Sequence, residues 1–136
     1  MKHGFTTEFL RASSYEGTVS TGHVTVSGGT HYEHLQGRHV LLIEDIVDTG
    51  TTLANLMPII EKEASPKSLH VCTLLKKRLN EPPKTHAKYI GFSIPDRFIV
   101  GYGLDFNELY RDVRDIWVIS KAGITFDQST LYPGIE

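Results

Sequence analysis

Val40-Leu41-Leu42-Ile43-Glu44-Asp45-Ile46-Val47-Asp48-Thr49-Gly50-Thr51-Thr52 decides how this chain folds. Its apolar opening, from His39 to Glu44, suits a strand buried on both faces of a parallel sheet. Two adjacent acids close that strand, a third follows, and a Thr/Gly turn then opens a helix. In open α/β sheets, ligands gather at the carboxyl ends of the strands, and residues 44–52 occupy such an end. The turn Thr49-Gly50-Thr51-Thr52 can aim successive backbone N–H groups at one point. The helix N-terminus adds partial positive charge and the threonines add hydroxyl donors, so the turn suits a phosphate. Ionised Glu44 and Asp45 only accept hydrogen bonds, which fits a pair of vicinal sugar hydroxyls. Asp48 stands on the rim, where an acid or base could act. Plainer roles exist for the same residues. Acids after a buried strand also occur in phosphoacceptor domains and metal sites, and an Asp before Thr-Gly is often a helix cap.

Downstream, Leu53, Leu56, Met57 and Ile60 recur at helical spacing. Pro58 falls within that stripe and has no N–H to give to the carbonyl of Ala54, which predicts a bend or an early stop. Ser65-Pro66 closes the helix. Leu69 to Leu75 reads as the next buried strand, giving a βαβ unit with a right-handed crossover. Lys76 to Lys88 is polar, holds Pro82-Pro83 and reads as a loop or poor helix. Tyr89–Ile94 and Phe98–Tyr102 are short apolar runs split by Pro95-Asp96, and Ile116–Ile119 looks like a last strand. Upstream, Phe5–Arg11 reads as a strand, Ala12–Gly22 as a Ser/Thr/Gly-rich loop and His23–Ser27 as a second strand. Together they form an antiparallel ribbon with a long connection. The tail from Ala122 is weakly patterned. With one convincing helix, the chain cannot cover both faces of a parallel sheet. Apolar surface must stay exposed, be covered by another chain, or belong to a larger protein.

The chain has 136 residues, which favours a single domain, and a net charge of −2 without a basic stripe, which argues against nucleic acid. Only Lys76-Lys77-Arg78 is locally basic. Cys72 is the single cysteine, so an internal disulfide is excluded, and its apolar neighbours suggest a small buried hydrophobe. No signal-like or membrane-spanning stretch is visible, and a cytoplasmic protein is the simplest expectation.

Residues 44–52 resemble the phosphoribosyl-diphosphate signature of type I phosphoribosyltransferases, and more narrowly that of the hypoxanthine-guanine branch. Other segments agree in order. Leu10-Arg11-Ala12-Ser13-Ser14-Tyr15 is similar to the start of the family's mobile loop, and Leu74-Leu75-Lys76-Lys77-Arg78 to its base-recognising strand end. Tyr89 to Glu108 is similar to its purine-pocket segment, and Tyr110-Arg111-Asp112 follows. The likeness runs from about Phe5 to Ile119. It implies an α/β fold of the type I phosphoribosyltransferase kind: one domain over 1–136 with a flap ribbon at 5–27, a core at 39–119, a partial parallel sheet with flanking helices, and an antiparallel flap.

The resemblance also implies a reaction and its residues. Members join a 6-oxopurine, hypoxanthine or guanine, to phosphoribosyl diphosphate, giving IMP or GMP and diphosphate, with Mg²⁺ neutralising the leaving group. Glu44 and Asp45 would face the ribose hydroxyls. Asp48 would accept a proton from the purine ring. Ile46, Val47, Thr49, Gly50, Thr51 and Thr52 would border and hold the 5′-phosphate. Lys77 would meet the 6-oxo group, since lysine donates three hydrogen bonds and accepts none. Lys76 departs from the family, which more often has an apolar residue there. Phe98 would stack on the base, with Arg97 and Ile99 offering backbone groups. Asp105 would be the Mg²⁺-linked carboxylate, its plainer role being a turn residue after Gly103. Arg111 would contact diphosphate, its plainer role being an ion pair with Asp112 or Asp115. Ser14 and Tyr15 would belong to the closing flap.

The family has a further segment ahead of the part matched here, carrying core elements, part of the subunit contact and a Lys-Gly loop that binds diphosphate. No Lys-Gly pair occurs in this chain, so it is expected to correspond to the C-terminal two-thirds of the enzyme. Family members usually associate, so a homo-oligomer is the expectation, with no nucleic-acid or membrane partner. The alternatives are a catalytically impaired fragment, a non-catalytic nucleotide-sensing domain on the same fold, and, less consistent with the Thr-Gly turn, a phosphoacceptor receiver domain.

Overall fold

The structure, a computed structural model, describes residues 4–16, 19–27 and 31–125, with the side chains of Arg11, 13–16 and 19–27 set aside. Contacts divide the chain into two compact units, Met1–Pro95 and Asp96–Glu136.

The first unit opens with strands β1 (Arg11–Glu16) and β2 (Val19–Ser27), paired antiparallel with an irregularity between Ser13 and Tyr15. The ribbon is as expected, but its first strand starts at Arg11, and much of the expected loop is strand. Backbone pairing does not require apolar side chains, so a Ser/Thr/Gly-rich stretch can still form a ladder. A short 3-10 turn at Tyr32–Leu35 follows. Then come β3 (His39–Val47), helix α1 (Thr51–Ala64) and β4 (Ser68–Arg78). β5 (Tyr89–Pro95) completes a three-stranded parallel sheet in the order β3-β4-β5.

The core lies between α1 and one face of this sheet. Leu53, Leu56, Ile60 and Ala64 of the helix are buried with Val47 and Val71. Tyr32, Leu35, Leu10 and Leu42 pack around its second half. Pro58 neither stops the helix nor shortens it, because α1 continues to Ala64. The proline lies on the exposed side, where water can satisfy the carbonyl it leaves unpaired. The helix ends at Ser65, which adopts a left-handed φ of 44° and donates its N–H to Glu61 O.

β3 departs from the expected double burial. It continues through the two acids to Val47 and is covered on one face only, leaving Ile43 72% exposed. Its partner in register, Cys72, is half-exposed rather than buried. Helix α1 covers one face, and among the described residues Leu41 and Ile43 on the other are exposed.

In the second unit, β6 (Ile99–Val100) pairs antiparallel with β7 (Trp117–Val118), and a short helix α2 (Lys121–Ile124) follows. The expected strand at 116–119 is thus two residues long. Between β6 and β7 the chain folds on itself: Tyr102 N–H donates to Val113 O at 2.7 Å and Gly103 N–H to Arg111 O at 3.0 Å.

Candidate active site

Register in the parallel sheet brings together the candidate residues of the first unit. Val47 lies opposite Lys76, so the next residues, Asp48 and Lys77, come together at the strand ends. Lys77 Nζ donates to Asp48 Oδ2 at 2.6 Å; the lysine side chain is 10% exposed and the aspartate 48%. A nearly buried ammonium needs such a partner. The half-exposed carboxylate keeps one side open to whatever enters.

Glu44 and Asp45 precede it. Glu44 is half-buried, and burial, with a smaller push from the neighbouring Asp45 charge, raises its carboxyl above the usual range. Asp45 is exposed and accepts the N–H of Ile46 at 2.6 Å. Both border a hollow of about 310 Å³, lined by Glu44 to Leu53.

The turn at its floor is made by Gly50, the residue preceding α1, with φ 72° and no side-chain cap. Asp48 therefore does not cap the helix; its carboxylate is turned to Lys77. A Cβ on Gly50 would lie 2.9 Å from Thr85 N, while Lys84 N–H donates to Thr49 O at 2.9 Å. The segment Lys84-Thr85 thus backs the turn from behind, which the sequence did not signal. Thr49 and Thr51 hydroxyls lie 3.0 Å apart. Thr49 and Thr52 are exposed, so the bend remains accessible. A smaller hollow, about 200 Å³, sits beside the amino half of β3, lined by Phe5, Leu10, Arg38 and Leu42 among others. It lies away from the strand ends where such sheets bind ligands.

In the second unit, Arg97 and Phe98 are exposed and Ile99 is half-buried in β6. The Phe98 and Phe106 rings meet edge to face, with centroids 5.3 Å apart and planes at 89°, and Phe98 is half-exposed. Asp105 and Arg111 are brought together: Arg111 Nη2 donates to Asp105 Oδ1 at 2.9 Å and Nη1 to Gly103 O at 2.9 Å. Asp105 Oδ2 accepts Glu108 N–H at 2.8 Å, so it is also a turn residue. The partners of Arg111 are Asp105 and, more loosely, Glu108, rather than Asp112 or Asp115. Glu108 was not singled out from sequence; its place follows from a left-handed backbone, φ 66°. Ser14 and Tyr15 lie in β1, and their side chains fall outside the described part of the structure.

Among the described residues no group of three or more His, Cys, Asp or Glu could cage a metal. Magnesium keeps most of its waters and needs few protein oxygens. The half-buried Asp105 carboxylate, already fixed by two donors, fits that lighter demand.

A profile of the phosphoribosyl transferase domain matches residues 4–107. The chain belongs to the phosphoribosyl transferase domain family. Within this family it is similar to the hypoxanthine-guanine phosphoribosyltransferases of Mus spretus and Homo sapiens, at 43% and 42% identity over 118 residues. The match covers 87% of this chain but only 55% and 54% of those proteins, so the chain spans about half their length. Hypoxanthine phosphoribosyltransferase from Staphylococcus aureus superposes with a TM-score of 0.73 at 39% identity, covering 88% of this chain and 64% of that one. The Trypanosoma cruzi enzyme in complex with its product IMP gives 0.70 at 40% identity, covering 84% and 59%. The parallel sheet with its antiparallel ribbon is therefore a phosphoribosyltransferase fold. No helix among the described residues is long and apolar enough to cross a membrane.

Proposed function

We propose that this chain carries the nucleotide-binding part of a purine-salvage enzyme. The reaction transfers the 5-phosphoribosyl group from phosphoribosyl diphosphate to hypoxanthine or guanine, giving IMP or GMP and diphosphate. The observation that carries this reading is the Lys77–Asp48 pair at 2.6 Å beside the acid-lined hollow. A donor-only side chain and a carboxylate stand side by side, the two groups that a 6-oxopurine with a ring proton to lose requires.

In that reaction a purine nitrogen bonds to the sugar carbon as the carbon–oxygen bond to diphosphate breaks, and the ring gives up a proton. Asp48 receives it. Lys77 donates to the 6-oxo group and would find an amino group at that position unfavourable, since it offers no acceptor. Thr49, Gly50, Thr51 and Thr52, at the positive end of α1, hold the 5′-phosphate; Ile46 and Val47 border it. Glu44 and Asp45 accept from the ribose hydroxyls. Phe98 stacks on the base, Arg97 and Ile99 offer backbone groups, and Arg111 contacts diphosphate. Ser14 and Tyr15 belong to a flap that excludes water. Asp105 would hold Mg²⁺, which would supply charge neutralisation for the departing diphosphate.

We read 1–136 as a single domain of a cytoplasmic protein that associates with further copies, an expectation supported by the uncovered apolar sheet face. The test is IMP formation from hypoxanthine, phosphoribosyl diphosphate and Mg²⁺, run beside calorimetric titration with GMP. Binding of GMP with slow or no turnover is expected of this chain. No heat at millimolar GMP would count against the nucleotide site itself.

A further inference from the structure

We propose that Tyr110 is a positioning residue for the Asp105–Arg111 pair, acting through the hydrogen bond from its hydroxyl to the backbone of α2. The inference rests on Asp105 and Arg111 serving the diphosphate, as proposed above.

The segment that carries this pair is unusual in its backbone. Asn107, Glu108 and Tyr110 have φ of 50°, 66° and 71°, values that residues with a Cβ seldom adopt. Asparagine tolerates this region; glutamate and tyrosine do so only where surrounding contacts hold them. Glu108 is held by its N–H bond to Asp105. Tyr110 is held by its side chain: the part-buried hydroxyl donates to Gly123 O at 2.9 Å.

The acceptor is itself fixed. Gly123 N–H donates to Ser120 Oγ at 3.1 Å, which caps α2. A Cβ on Gly123 would sit 2.9 Å from Ile119 Cγ1 and 3.6 Å from the Tyr110 hydroxyl. The last turn is thus seated close against the tyrosine.

Arg111 follows directly in the chain. Its carbonyl accepts from Gly103 N–H, and its guanidinium is shared between Gly103 O and Asp105. The direction of that guanidinium therefore depends on the left-handed turn at Tyr110, which the bond to Gly123 keeps in place. Phenylalanine would keep the ring and remove the bond from the hydroxyl to Gly123 O, so the substitution tests position without opening a cavity.

The experiment is calorimetric titration of the whole chain with inorganic diphosphate in Mg²⁺ and, separately, with GMP, for the parent, Y110F and R111Q. Y110F should weaken diphosphate binding roughly three- to tenfold, the scale of one hydrogen bond, and leave GMP affinity within about twofold. R111Q should weaken diphosphate at least as much. Equal weakening of both ligands in Y110F marks a general structural role and overturns the proposal. So does unchanged diphosphate binding in Y110F while R111Q is impaired. If the parent takes no diphosphate, or R111Q binds it like the parent, the underlying assignment of Arg111 fails and the proposal falls with it. GMP affinity, measured for each variant, reports whether that variant is folded.

Discussion

Asp48 with Lys77, and Asp105 with Arg111, are both carboxylate–cation pairs, yet they are built by different means. The first joins residues 29 apart through the register of two parallel strands. The second joins residues six apart across a segment with left-handed backbone. The sheet-end pair inherits its rigidity from the core beneath it, where Val47, Val71 and Leu75 are buried. The turn pair depends on individual hydrogen bonds. A sheet-built site should therefore lose chemistry when a side chain changes and keep its shape, whereas a turn-built one should lose shape first.

Asp48→Asn is the strongest test. It keeps the side chain's shape and removes the proposed proton acceptor, so whatever turnover the parent shows should fall by about 10²- to 10⁴-fold while GMP affinity changes little. Weakened GMP binding of similar size would show that Asp48 holds the site together rather than accepting a proton. Lys77→Met comes next. It removes the donor to Asp48 that is also proposed for the base, and should cost roughly 10- to 100-fold in whatever kcat/KM the parent shows for hypoxanthine. A variant with undiminished hypoxanthine use would break the assignment of Lys77 to the 6-oxo group.

Gly50→Ala probes the shape of the sheet-end site. With φ at 72° and Thr85 N only 2.9 Å from the new Cβ, it should cost about 1–3 kcal/mol, seen as a drop in Tm together with weaker GMP binding. An unchanged Tm would mean that the turn and its backing segment yield freely.

Glu44→Gln should have the smallest effect. Burial, then the Asp45 charge, raise the Glu44 carboxyl, so the folded chain holds that proton to higher pH than the unfolded chain. The contribution is full at acid pH and is lost as pH rises through the raised value. Glutamine cannot ionise, so the variant should melt higher than the parent near neutrality and converge with it in acid. Melting curves across that range check the sign; a lower Tm for the variant at neutral pH would contradict it.

What the sequence made legible follows the same division. The run Val40–Ile43, the spacing Leu53-Leu56-Ile60 and the run to Leu75 located strand, helix and strand, because burial against α1 imposes those periods. The acids and the Thr-Gly turn at the strand end could be read from their order alone. The contact between Asp48 and Lys77 could not, because it depends on a register that leaves no local mark. Nor could the left-handed Glu108 and Tyr110, since neither residue type announces a positive φ. The ribbon's true start at Arg11 was missed because its ladder is made by backbone. Pro58 misled because its effect depends on which side of the helix faces water.

The open face of the three-stranded sheet has a practical consequence. Ile43 is 72% exposed there, and Leu41 and Tyr89 about half. A net charge of −2 provides little mutual repulsion. Colloidal behaviour will therefore limit the handling of this chain before unfolding does. Ammonium sulfate should precipitate it at low concentration, and fluorescent dyes that seek oily patches should light up on the native protein.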